Sequence, residues 1–83
     1  MASPKSKIEL YIIEKVKERR IQLKMSQSDL AFKLGVSYGF IGQVESPNFP
    51  AKYNVNHLDK LAFIFSCSPK DFLPDKPFVK KLD

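Results

Sequence analysis

The sequence predicts an all-α protein of five short helices, and three observations predict it. Apolar residues recur at intervals of three, four and seven, with no strand-like alternation of any length. Polar residues of capping type stand immediately before several of these runs. The chain has 83 residues, 43% of them apolar, which leaves room for one small domain and little else.

The opening "MASPKSK" is polar and contains Pro4, so residues 1–7 read as a flexible N-terminal arm. From about Ile8 to Lys24, Ile12 or Ile13, Val16 and Leu23 fall on one helical stripe. Arg20 falls on the same stripe, and an inward arginine requires a partner. In "SQSDLAFKLG", Ser26 with Asp29 has the form of a capping box. Leu30 and Leu34 share a face beside the small Ala31. Gly35 stands where a helix terminus takes a left-handed residue.

Ser37 is the next expected cap, and "YGFIGQVE" the next helix, ending near Ser46 and Pro47. Gly39 and Gly42 would together cost that helix about 2 kcal/mol relative to alanine. Packing of Ile41 and Val44 must offset this, because most helix stability in proteins is tertiary. "SPNFPAKYN" is an irregular loop. Asn56 and Asp59 form a further expected capping pair, opening a helix with Leu58, Leu61, Ala62 and Phe65 inward. "SPKDFLP" reads as a short helical turn: Ser68 the cap, Pro69 first, Asp71 third, Pro74 the stop. Residues 8–73 thus form the domain, and residues 74–83 a mobile C-terminal tail.

The formal charge of +5 favours a polyanionic partner, nucleic acid ahead of an anionic membrane. Cys67 is the only cysteine, which excludes an internal disulfide and a cysteine-built zinc site and fits a reducing cytosol. It reads as a small apolar residue rather than a nucleophile. His57, the only histidine, has no second histidine and no cysteine near it, and reads as a surface residue. No metal, cofactor or catalytic triad is expected, and therefore no enzyme. The apolar run "IELYII" is short and interrupted by Glu9, so neither a signal peptide nor a membrane span is expected. Cytoplasmic location follows as an expectation.

Only "GVS" separates the second and third helices. A joint that short makes them cross steeply, which is a helix-turn-helix at about residues 27–46. The stretch "RRIQLKMSQSDLAFKLGVSYGFIGQVES" resembles the helix-turn-helix domain of the Cro and phage-repressor (XRE) family, and "LDKLAFIFSCSPKDFL" looks like that family's closing helices. The resemblance covers about residues 12–73. It implies a compact five-helix bundle of the lambda-repressor-like type, binding double-stranded DNA, commonly as a homodimer with third helices in successive major grooves. It also implies a structural ion pair between Arg20 and Glu45 and an interface made of Gln27, Ser37, Tyr38, Gly39, Gln43, Asn48 and Lys52.

Within that interface, Gln43 is of the type that bonds adenine in a bidentate manner. Tyr38 suits a thymine methyl or, through its hydroxyl, a phosphate. Ser37, Gln27, Asn48 and Lys52 are placed near the backbone. Lys24 and Lys33 occupy exposed faces, where lysines are ordinarily only solvated. Phe40 borders the core and is expected to pack against the following loop. Phe63, Ile64, Phe72, Leu73 and Phe78 are candidates for a dimer surface. The family pattern is departed from at Gly39 and Gly42, which leave the reading face bare. Two functions stay open: a DNA-binding transcriptional regulator, a repressor by expectation, or a protein-interaction or antitoxin-like accessory module on the same scaffold.

Overall fold

The computed structural model describes residues 4–82 and has four α-helices and a closing 3-10 turn, with no strand among the described residues. Helix α1 spans Lys7–Gln22. Ser6 caps it: the hydroxyl accepts from the Glu9 N–H at 3.2 Å, and the Glu9 carboxylate accepts from the Ser6 N–H at 2.8 Å. The expected arm therefore divides. Residues 1–3 lie outside the described residues, whereas Lys5 is buried, Ser6 is the cap and Lys7 is already helical. Ile13, Val16 and Arg20 face inward as their spacing predicts. Leu23 does not. The helix stops before it, Lys24 takes a left-handed φ of +56°, and the Met25 N–H returns to the Arg20 carbonyl at 3.0 Å. That turn swings Leu23 off the stripe and into solvent.

Helix α2, Gln27–Leu34, is built as its letters predict. Ser26 and Asp29 form the capping box, Leu30, Ala31 and Leu34 are buried, and Gly35 ends the helix at φ +77°. Helix α3 is shorter than expected, Phe40–Glu45, and its N-cap is Gly39, not Ser37. The chain enters through a turn over residues 38–39, in which the Ser37 carbonyl, rather than its hydroxyl, accepts from the Phe40 N–H at 3.1 Å. Only Gly42 therefore lies in the helix interior, halving the expected glycine cost to about 1 kcal/mol. Ile41 and Val44, both fully buried, offset it at about 1.5–3 kcal/mol each.

Helix α4, Val55–Phe65, begins before the expected Asn56–Asp59 pair. Asn54 is the cap, extended at φ −97° and ψ 176°, and His57 completes the box. The His57 N–H donates to Asn54 Oδ1 at 2.7 Å, and the Asn54 N–H donates to His57 Nδ1 at 3.0 Å. Ser68, Pro69 and Asp71 open the 3-10 turn Pro69–Phe72 as expected. The turn packs on α1 and α4 and drives Phe72 into the core, its ring 6.2 Å from that of Phe65. Phe72 is thus removed from the candidate dimer surface. Phe63 stays on that surface, exposed at 86%, while Ile64 is partly buried. Past the turn the described chain carries no helix, and the Phe78 ring lies 5.9 Å from that of Tyr11.

Candidate nucleic-acid interface

Helix α3 buries Ile41 and Val44 against the core and turns its opposite side to solvent. Gln43 on the helix, and Ser37, Tyr38 and Gly39 in the turn that enters it, are all exposed, Tyr38 at 80%. An unpaired, outward tyrosine on a small domain is a side chain suited to contact with something else. Gly39 has no atom within 4 Å of where a Cβ would stand, so the bare strip at the start of α3 opens to solvent. Phe40 does pack against the following loop: its ring lies 6.2 Å from Tyr53 and 5.3 Å from His57. His57 is accordingly half-buried rather than a surface residue.

The inward arginine has its partner. Arg20 Nε and Nη2 donate to the two carboxylate oxygens of Glu45, each at 2.9 Å, a fork-to-fork pair. Arg20 Nη1 donates to the Met25 carbonyl at 2.7 Å, tying the α1–α2 turn into the same cluster. The Glu45 side chain is 4% exposed, so the pair is held away from water. Tyr53 stands nearby, and burial, with Glu45 adding and Arg20 opposing, pushes its phenol well above the ordinary range.

Gln27 joins this cluster from α2. Its amide nitrogen donates to Glu45 Oε1 at 3.0 Å. The side chain lies across α3 where Gly42 has none: a Cβ on Gly42 would stand 3.2 Å from Gln27 Oε1. This is a physical use for one of the two unusual glycines. Gly42 gives the Gln27 amide its path over the helix to Glu45, and a primary amide has a second N–H to offer elsewhere.

The loop after α3 holds the last two candidates. Asn48 is exposed, with its backbone N–H on Ser46 Oγ at 3.4 Å. Lys52 is not a freely solvated cation, because its Nζ lies 2.9 Å from Glu9 Oε2 in the first turn of α1. The Ser6 backbone N–H first, and Lys52 second, hold the Glu9 carboxyl below its ordinary range. Lys5, within the polar stretch expected to be a loose arm, reaches the carboxyl end of α3. Its Nζ donates to the carbonyls of Gln43 at 3.3 Å, Val44, and Ser46 at 2.6 Å. Burial pulls its ammonium below the ordinary lysine range, with Glu9 opposing. Among the described residues no three histidine, cysteine or acidic side chains gather as a metal site, and no helix is long and apolar enough to cross a membrane.

The family of Cro/C1-type helix-turn-helix DNA-binding domains matches residues 15–77, well over half of the chain. No curated protein sequence matches the chain. Its fold is similar to that of the restriction-modification controller protein C.AhdI from Aeromonas hydrophila, with a TM-score of 0.65 and 23% identity over 77% of this chain and 94% of that one. It is also similar to a hypothetical transcription factor, NHTF, from Neisseria, with a TM-score of 0.70 and 16% identity over 89% and 84% of the two chains. A third similar structure is apo-HppE, with a TM-score of 0.67 and 24% identity over 81% of this chain but 36% of that one. At these identities the likeness is one of fold.

Proposed function

Since the chain belongs to the Cro/C1-type helix-turn-helix DNA-binding domain family, we propose that it is a transcriptional regulator, a repressor, that binds double-stranded DNA as a homodimer in the cytoplasm. Helix α3 enters the major groove with Tyr38, Gly39 and Gln43 toward the base edges. Ser37, Gln27, Asn48 and Lys52 lie along the backbone, where contacts set register rather than sequence. The observation that carries this reading is the two-sidedness of α3 and the turn that enters it: Ile41 and Val44 are fully buried, while Tyr38, Gly39 and Gln43 are exposed. With Gly39 bare and Gly42 crossed by the Gln27 amide, direct base reading is sparse, and phosphate contact and duplex shape carry more of the preference. In a dimer the half-sites lie about 34 Å apart, one helical turn of the duplex.

The experiment is selection from random duplex DNA with the intact chain, Gln43→Ala and Tyr38→Ala. A motif that shifts or blurs at one base pair in each variant supports the reading. A motif unchanged by both moves recognition away from α3. The open strip at Gly39 favours one alternative, a protein partner packed against α3. That alternative predicts no enrichment of any duplex.

A further inference from the structure

Helix α3 has few means of its own to hold its ends. It has six residues, a glycine inside and no side-chain cap at its amino end. The last carbonyls of a helix lack intrahelical partners and carry partial negative charge. Here they are met by a residue some forty positions earlier, Lys5, whose ammonium bonds the carbonyls of Gln43, Val44 and Ser46. Three acceptors meet three donors. Lys5 is 5% exposed, and lysines are almost never buried unless paired. Two neighbouring interactions back this up: Ser6 caps α1 immediately after Lys5, and Glu9 holds Lys52 in the loop that follows α3.

We propose that residues 5–9 form a clasp that sets the carboxyl end of the reading helix and the loop behind it, with Lys5 a positioning residue for DNA binding that does not itself touch the duplex. The proposal rests on the reading of α3 as the groove-facing helix. A cation this close to a nucleic-acid interface is ordinarily assigned to phosphate; its burial against α3 carbonyls argues for positioning instead. Substitution then lowers affinity without lowering the number of counterions released.

The test compares the intact chain with Lys5→Met and Lys5→Gln. Affinity for a labelled duplex enriched from a random pool is measured at several salt concentrations, and amide hydrogen exchange is measured on the free proteins. Lys5→Met is expected to weaken binding about tenfold, the scale of a lost charge-assisted hydrogen bond. The slope of log affinity against log salt stays unchanged. Exchange quickens at residues 43–46 and not in α2. Lys5→Gln, which keeps an amide donor, falls between, and it carries the comparison if Lys5→Met does not fold. A salt slope reduced by about one, an unchanged affinity, or unchanged exchange at residues 43–46 overturns the clasp. If the intact chain enriches no duplex, the reading of α3 fails instead, and exchange alone decides whether Lys5 holds the helix.

Discussion

Helices α2 and α3 are neighbours in one motif and are held by opposite means. Helix α2 carries its own fixings: Ser26 and Asp29 close its first turn, and Gly35 closes its last. Helix α3 has no side-chain cap and is held by Lys5, by Glu45 on Arg20 and Gln27, and by the burial of Ile41 and Val44. A scaffold helix can be specified locally. The helix that meets a ligand keeps its outer face for that ligand, and its restraints come from α1, α2 and the segment before α1.

The difference predicts unequal responses to mutation. The largest is Arg20→Ala, which strands a Glu45 side chain only 4% exposed and should cost about 3–5 kcal/mol in urea unfolding. Replacing both Arg20 and Glu45 by methionine should cost much less, since no uncompensated charge remains. A single-substitution cost below about 1 kcal/mol would remove the pair from the restraints on α3. Next is Ser26→Ala, worth about 1 kcal/mol as a lost cap. Its loosening, followed by amide exchange, should stay within the first turn of α2 and leave α3 protected.

Gly42→Ala sharpens the contrast by moving two properties in opposite directions. Alanine raises stability by up to about 1 kcal/mol, because the group its Cβ meets at 3.2 Å is the end of a flexible, exposed glutamine. Duplex binding should weaken as Gln27 is displaced from Glu45. A rise in both would leave the Gly42–Gln27 contact without a role.

The smallest effect is a pH dependence in α4. Burial, and Lys60 after it, lower the His57 pKa below its ordinary 6.5. The neutral ring accepts the Asn54 N–H, so the unfolded chain binds the proton more readily. This contribution to stability is complete above about pH 6.5 and is lost as pH falls through the lower folded value. His57→Gln should flatten the thermal unfolding midpoint over that window. Glu9 and Asp29, held low chiefly by the Ser6 and Ser26 backbone N–H groups, contribute above their ordinary carboxyl range and lose that contribution only as pH falls through still lower folded values.

What could be read in the letters follows the same division. Helix α2 was legible to the residue because its signals lie within ten positions of one another. The inward placement of Arg20 was legible from its stripe, and its partner only through the family resemblance. Helix α3 was placed correctly but begun at Ser37, because a serine there looks like a cap until the backbone shows the turn over residues 38–39. The box at Asn54 carries no ordinary sequence signature, because its third helical residue is a histidine rather than an acid or glutamine. The stops at Lys24 and Ser66 are left-handed without glycine, so nothing in the composition marks them. Lys5 was out of reach: its partners are carbonyls 38 to 41 residues away. The "SKIE" box that starts α1 beside it is a readable signal within a stretch whose polarity suggests an arm.

The claim beneath all of this is that α3 presents Tyr38, Gly39 and Gln43 to a duplex. The most direct measurement is a residue-resolved NMR titration of the intact chain with duplex DNA, following backbone amides. The largest shifts are expected at residues 37–43 and in the loop through Lys52, with smaller ones on the exposed side of α4 around Phe63. Shifts centred on the exposed Phe63 of α4 and the exposed Phe32 of α2, with residues 37–43 unchanged, would contradict the claim.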